Sequence, residues 1–157
     1  MVTVQEINQI FRQYGRTLGS VESFTGGLFA KEITAVAGAS HYYKGGLITY
    51  ATEEKNRLIG IPYEVIDEFG VVSKEVASLM AANGQKALNV DYCVSFTGNA
   101  GPDAMERKPV GEIYIAVATY DGVKVYGHQL EGTREEIQKK GVELALEILK
   151  TTIFENN

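Results

Sequence analysis

The chain has one cysteine, Cys93, and two histidines, His41 and His128. A single cysteine excludes an intrachain disulfide and fits a reducing compartment. The histidines have no ligand-like spacing to each other or to Cys93, which argues against a zinc site. Cys93 lies in an apolar run with no histidine nearby, so it reads as an inert buried thiol rather than a nucleophile. No apolar stretch approaches the roughly 20 residues that span a bilayer. The first residues, Met1-Val2-Thr3-Val4-Gln5-Glu6, carry neither a basic n-region nor an apolar h-region, so no signal peptide is expected and the cytoplasm is the default. Basic blocks are missing too. Lys139-Lys140 is a basic pair late in the chain, and Glu135, Glu136 and Glu143 surround it. With a net charge of −5, the chain offers no basic face for a nucleic acid. Linkers, internal repeats and low-complexity tracts are also missing.

What remains is a chain of 157 residues, 45% apolar and 22% charged, the composition of one soluble globular domain over residues 1–157. Thr3 and Glu6 form a capping box ahead of a helix to Tyr14, with Val4, Ile7, Phe11 and Tyr14 on one stripe and Gly15 as its stop. A short strand over 17–22 precedes a helix over 26–36, with Leu28, Phe29, Ile33 and Val36 inward. A second strand is expected over 46–51. Thr52 caps a short helix ending near Gly60, and Pro62 opens another that runs to Phe69. Ser73 caps a longer helix to Leu88. Residues 91–96 form a nearly continuous apolar strand of the kind buried on both faces. Asp121-Gly122 joins two strands, 112–120 and 123–130, in a hairpin. Thr133 and Glu136 box the last helix, whose stripe is Ile137, Leu144, Ile148 and Leu149. The order α β α β α α α β β β α predicts one three-layer α/β/α domain. Its sheet is mixed and mostly parallel, with a C-terminal antiparallel hairpin.

Two segments carry possible chemistry. Glu22-Ser23-Phe24-Thr25-Gly26-Gly27 runs from a strand end into a helix, where open α/β sheets build their sites. Ser23 is a candidate nucleophile. The amides around Thr25, Gly26 and Gly27 are candidates to hold an oxyanion or phosphate. The alternative is that Ser23 or Thr25 only caps the helix. Thr49-Tyr50-Ala51-Thr52-Glu53-Glu54-Lys55 puts Lys55 in the first turn of a helix, where the dipole disfavours an ammonium. If it is also partly buried, Lys55 becomes a base able to activate a serine; the alternative is a surface lysine beside two glutamates. Tyr50 is placed to relay a proton or orient the lysine, or simply to pack. The loop from Thr97 to Lys108 follows the buried strand at the same sheet edge. It offers the Thr97 hydroxyl and the Gly98 and Gly101 amides, and Arg134 is a candidate phosphate anchor.

Glu-Ser-Phe-Thr-Gly-Gly at 22–27, Gly-Ala-Ser at 38–40 and Thr-Tyr-Ala-Thr-Glu-Glu-Lys at 49–55 resemble the CinA carboxy-terminal-domain family. So do Gly-Val-Val-Ser at 70–73, Thr-Gly-Asn-Ala-Gly-Pro at 97–102 and Lys-Pro-Val-Gly at 108–111. The resemblance covers almost the whole chain. It implies a nicotinamide-nucleotide amidohydrolase of pyridine nucleotide salvage in NAD metabolism. Such an enzyme deamidates nicotinamide mononucleotide with a serine, a lysine and a tyrosine and without a metal or other cofactor. Those positions match Ser23, Lys55 and Tyr50. A stand-alone domain that forms a homo-oligomer is also implied, with a small nucleotide as partner and neither membrane nor nucleic acid. This chain departs from the family pattern at Phe24 (usually cysteine), at Asn99 (usually isoleucine), at 104–107 (usually glycine-rich) and at Gln138 (often arginine). The losses predict weakened nucleotide affinity, repaired by Gln138→Arg. A non-catalytic nucleotide-binding or interaction module, or a hydrolase of another small amide, stays open.

Overall fold

The computed structural model describes residues 1–157. Helix α1 (Val4–Tyr14) begins where the Thr3 hydroxyl accepts the Glu6 N–H at 3.1 Å, and it ends at Gly15 with φ +62°. Only half of the expected capping box forms there, because the Glu6 carboxylate pairs with Lys150 at 3.3 Å. Strand β1 (Leu18–Glu22) leads to α2 (Leu28–Thr34), and a 3-10 turn over Ala39–His41 leads to β2 (Tyr43–Ile48). Three helices follow, α3 (Thr52–Ile59), α4 (Tyr63–Phe69) and α5 (Lys74–Leu88), the last capped by the Ser73 hydroxyl. The chain closes with β3 (Tyr92–Gly98), β4 (Glu112–Thr119), β5 (Gly122–Gln129) and α6 (Arg134–Glu155). At α6 both halves of the Thr133–Glu136 box are made. The helix is long, but none in the chain is long and apolar enough to cross a membrane.

The sheet order is β2-β1-β3-β4-β5. β2, β1 and β3 are parallel, β4 runs back against β3, and β5 runs back against β4. All strands except β4 therefore point the same way, which is the mixed, mostly parallel α/β/α sheet expected. One apolar core unites α1, α2 and α6 with Leu18, Phe96, Ile113 and Ile115 on one sheet face. The other unites α3, α4 and α5 with Val21, Cys93, Ala116 and Ala118. Cys93 is fully buried, and burial pushes its thiol pKa up to about 12, which leaves it inert.

Two expectations shift. The buried stripe of α6 is Ile137, Gly141, Val142, Ala145, Leu146, Leu149, Thr152 and Ile153, while Leu144 and Ile148 are only partly covered. Gly141 and Ala145 bring the backbone close to the sheet, and a stripe chosen by size alone passes over such small residues. Strand β2 also starts and stops three residues earlier than the 46–51 expected. The carbonyls of Thr49 and Tyr50 turn out of the sheet to meet Lys55.

Helix α5 lies unusually close to β1 and β3. A Cβ on Gly84 would sit 2.3 Å from Val21 Cγ2 and 3.0 Å from Cys93 Sγ. In an exposed helix Gly→Ala gains about 1 kcal/mol, whereas overpacking a core costs about 1–3 kcal/mol. Gly84→Ala is thus expected to lower the melting temperature despite its better propensity. A thermal melt checks this, and a rise would mean that α5 can move off the sheet.

Candidate active site

Because all strands but β4 run the same way, the chain leaves β1, β2, β3 and β5 at one edge of the sheet. Ser23 follows β1, Tyr50 and Lys55 follow β2, Asn99 to Gly101 follow β3, and Arg134 follows β5. These residues line a cleft of about 350 Å³.

Lys55 is 1% exposed. Its Nζ lies 3.0 Å from Ser23 Oγ, 2.6 Å from the Thr49 carbonyl oxygen and 3.3 Å from that of Tyr50. The carboxylates beside it in sequence turn away: Glu54 pairs with Arg57 at 2.6 Å, and Glu53 is exposed. Burial lowers the Lys55 pKa from 10.5 to about 8, against smaller upward pulls from Glu106 and Glu53. The lysine is therefore a buried amine beside a hydroxyl, with two neutral acceptors and no bonded acid. Tyr50 lines the cleft, but its phenol does not reach Ser23 or Lys55. That oxygen accepts from Arg134 Nη2 at 2.7 Å, and Nη1 of the same guanidinium donates to the Gly101 carbonyl.

The glycine amides expected to face a ligand do not. Gly26 donates to the Ser23 carbonyl at 3.0 Å, and Gly27 donates to the Glu22 carboxylate at 3.2 Å. Glu22 is 1% exposed and also takes the Phe29 and Ala30 amides at 2.9 and 3.1 Å. A buried carboxylate thus occupies the N-terminus of α2, where an anion is favoured, and neither Ser23 nor Thr25 caps the helix by its side chain. Sequence reasoning missed this role. The available signal was an acidic residue at a strand end directly before a helix with no side-chain cap of its own. The Phe24 and Thr25 N–H groups beside Ser23 have no acceptor within the chain, and the Thr25 hydroxyl is buried without a partner.

Thr97, Gly98 and Gly101 line the cleft, but their donors are engaged. The Thr97 hydroxyl donates to the Val71 carbonyl at 2.6 Å, and the Gly101 amide donates to Asn99 Oδ1 at 3.1 Å. Gly98 lies in the ladder against Ile113, where a Cβ would come within 2.5 Å of that side chain. Its role is close packing.

The loop after β3 is braced at several points. Its neck is closed by Asn99 N–H to the Glu112 carbonyl at 3.0 Å and Gly111 N–H to the Asn99 carbonyl at 2.7 Å. Glu106 and Arg107 hold left-handed conformations, φ 54° and 60°, that glycine adopts more readily. The Glu106 carboxylate accepts the Val71 and Val72 amides at 2.9 and 3.1 Å. Lys108 donates to the Phe69 carbonyl at 3.0 Å and also to that of Val72. A carboxylate and an ammonium thereby tie this loop to the joint between α4 and α5.

The other departures lie behind the cleft. Phe24 borders it beside Ser23 but is 3% exposed, with its ring edge-on to Phe96 and against Gly141. Gln138 donates to the Phe24 carbonyl at 3.0 Å and lines a separate groove floored by Val4, Leu28, Val142 and Leu146. The expectation that Gln138→Arg repairs phosphate binding loses its basis, because position 138 faces that groove and not the cleft.

Comparison with known proteins agrees with the resemblance. The CinA C-terminal domain family matches residues 2–153. A CinA-like protein of Geobacter sulfurreducens is 42% identical over 149 residues, which are 94% of this chain and 36% of that protein. The chain spans about a third of the length of such relatives. The competence/damage inducible protein CihA of Agrobacterium tumefaciens superposes with a TM-score of 0.90 at 32% identity, over 94% of this chain and 92% of that one. A CinA superfamily protein of Klebsiella pneumoniae shares the fold with a TM-score of 0.93 at 22% identity, over 98% and 99% of the two chains. Motifs, strand order and relatives agree, and the chain belongs to the CinA family as a form of its C-terminal domain.

Proposed function

We propose that the chain is an amidohydrolase that converts nicotinamide mononucleotide to nicotinate mononucleotide and ammonia, with Ser23 as nucleophile and Lys55 as its base. The observation that carries this reading is the 3.0 Å contact between Ser23 Oγ and the buried Lys55 amine. A neutral amine has two N–H donors and one lone pair. The donors suit the Thr49 and Tyr50 carbonyls, and the lone pair then faces the Ser23 hydroxyl. A surface lysine has no reason to adopt that arrangement.

In this mechanism Ser23 Oγ attacks the carboxamide carbon while its proton passes to Lys55 Nζ. The oxyanion is held by the Phe24 and Thr25 amides, which have no other acceptor. Lys55 returns the proton to the leaving nitrogen, and ammonia departs. Water then attacks the acyl-enzyme with Lys55 again as base, releasing the acid and restoring the serine. Arg134 is the phosphate anchor in this scheme.

Incubating the protein with nicotinamide mononucleotide and measuring ammonia tests the proposal. Binding without ammonia release would favour the non-catalytic module. The pH profile adds a second check. Below its pKa the lysine holds its proton and cannot take one from serine. With the Lys55 pKa near 8, kcat/KM is expected to rise with pH, with its midpoint near that value, and to flatten above it. A profile that falls through the same range would remove Lys55 as the base.

A further inference from the structure

We infer that Met105 is a specificity-determining residue, set in the cleft wall by a Glu106 clamp, and that it selects amides carried on a flat aromatic ring. That the ring is nicotinamide rests on the amidohydrolase reading; the ring-binding wall itself does not.

The cleft is short of open apolar surface. Of the large apolar side chains that line it, Phe24 and Val71 are only 3% and 7% exposed. Met105 is 40% exposed, and the other open face is the ring of Tyr50. Most of the remaining lining is small or polar. A ligand whose carbonyl reaches Ser23 therefore finds a thioether as the main aliphatic surface for the rest of its body. A thioether is polarisable, adapts to the shape beside it and makes a favourable contact with an aromatic ring. An aliphatic amide gains the burial but not that contact.

A methionine on a loose loop would select little, and this one is not loose. Met105 opens a tight turn in which the Lys108 N–H donates to the Met105 carbonyl at 2.8 Å. Glu106 and Arg107, between them, have φ of 54° and 60°. Two successive left-handed residues suit asparagine and glycine, and long charged side chains disfavour them. What holds them comes from outside the turn. The Glu106 carboxylate spans the Val71 and Val72 amides at 2.9 and 3.1 Å. It sits so close to Gly70 that a Cβ there would lie 2.8 Å from Glu106 Oε1. Lys108 fastens the other end to the Phe69 and Val72 carbonyls. Val71, whose amide Glu106 takes, is itself in the cleft wall, and its carbonyl accepts the Thr97 hydroxyl at 2.6 Å. Turn and wall are one braced unit, and Met105 is the part of the turn that faces a ligand. Disfavoured backbone held in place by its surroundings is a feature of ligand clamps.

The chain has three methionines, in three different settings: Met1 is 88% exposed, Met80 is fully buried and Met105 lines the cleft. NMR with isotope-labelled methionine methyls therefore reads Met105 directly, its signal assigned by Met105→Leu. Nicotinamide mononucleotide and nicotinamide, each titrated into the whole chain, are expected to shift the Met105 methyl through the ring current and to leave Met80 in place. Ribose 5-phosphate, which has no aromatic ring, should not move it. Turnover does not blur the result, because the acid product keeps the ring. In Glu106→Ala the Met105 signal should move toward that of Met1 before any ligand is added, and should then respond less to the ring. Kinetics add a second reading. Met105→Ala should weaken use of nicotinamide mononucleotide roughly two- to tenfold, the span of a sulfur–aromatic contact, with the loss in KM rather than kcat. Glu106→Ala should reach a similar KM, and the double variant should be scarcely worse, since both changes remove one contact. A Met105 signal that ignores both ring ligands, or moves as far with ribose 5-phosphate, overturns the inference. A response to the ring that Glu106→Ala leaves intact overturns the clamp. If the ring ligands move the signal and no ammonia is released, the amidohydrolase reading fails and the ring-binding wall stands.

Discussion

Lys55→Met is expected to abolish deamidation of nicotinamide mononucleotide while leaving the protein nearly as stable at neutral pH. Loss of a general base costs roughly 10²–10⁴-fold in rate. Methionine has a similar length and adapts to irregular space, so the side-chain volume is largely conserved. Two opposed terms decide stability. Holding the amine in a site where its pKa falls from 10.5 to about 8 costs about 3 kcal/mol below pH 8, and the variant escapes that cost. Against this, the Thr49 and Tyr50 carbonyls lose a donor, at about 1–3 kcal/mol for each group left buried and unpaired. The two nearly cancel. Between about pH 8 and 10.5 the unfolded lysine still binds its proton while the folded one has lost it, so the parent chain gains stability as pH rises through that window. The variant has no such group and should fall progressively behind. Ammonia release and chemical melts at pH 7 and 10 read both effects. A loss of several kcal/mol at pH 7 with activity retained would make Lys55 a structural group.

Ser23→Ala should reduce turnover to the same background, and the Ser23→Ala/Lys55→Met double variant should be scarcely worse than either single change. Groups that act as one unit are not additive, since neither works without the other. The Ser23 hydroxyl has one partner in the chain, Lys55, and its backbone amide donates to the Phe96 carbonyl at 2.9 Å regardless of side chain. The fold should lose no more than about 1 kcal/mol, the net value of one hydrogen bond. Mass spectrometry of the parent chain mixed with substrate should reveal an acyl adduct that the alanine variant lacks. Full activity in Ser23→Ala would move the nucleophile to Thr25, whose hydroxyl is buried and free of partners. Losses that multiply across the double variant would mean that serine and lysine act independently.

The sequence carried the order of elements because several helices announce their own limits, although α3 starts after Ala51 with no side-chain cap and Thr52 lies inside it. Ser73, Thr133 and Gly15 are local signals, and they act locally in the fold. It also carried the expectation that the serine and lysine segments share one sheet edge. That follows from parallel crossovers, and the 3.0 Å contact agrees with it. The destination of long-range polar atoms was not legible. Glu22 reads as a neighbour of the nucleophile, yet its carboxylate holds the start of α2. Nothing in Tyr50 or Arg134 announces a partner 84 positions away. The loop at 104–107 read as a loss of glycine amides. The compensating contacts of Glu106 and Lys108 are with backbone atoms of residues 69–72, and any sequence there offers such atoms. The small residues of α6 escaped for a related reason: a glycine that packs closely carries no hydrophobic signal.

The pinched neck between Asn99 and Gly111 makes residues 100–110 an exchangeable cassette. Both ends of the loop are fixed to each other by the 3.0 and 2.7 Å backbone bonds, and β4 returns beside β3, so added length need not move either strand. Lengthening such a loop costs little in closure entropy, about 0.6 kcal/mol for each doubling. The floor of the cleft, built from other strand ends, would not register the change. If the proposed chemistry holds, substrate preference can therefore drift by insertion, deletion or wholesale replacement within one surface segment, while Ser23 and Lys55 beneath it stay in register.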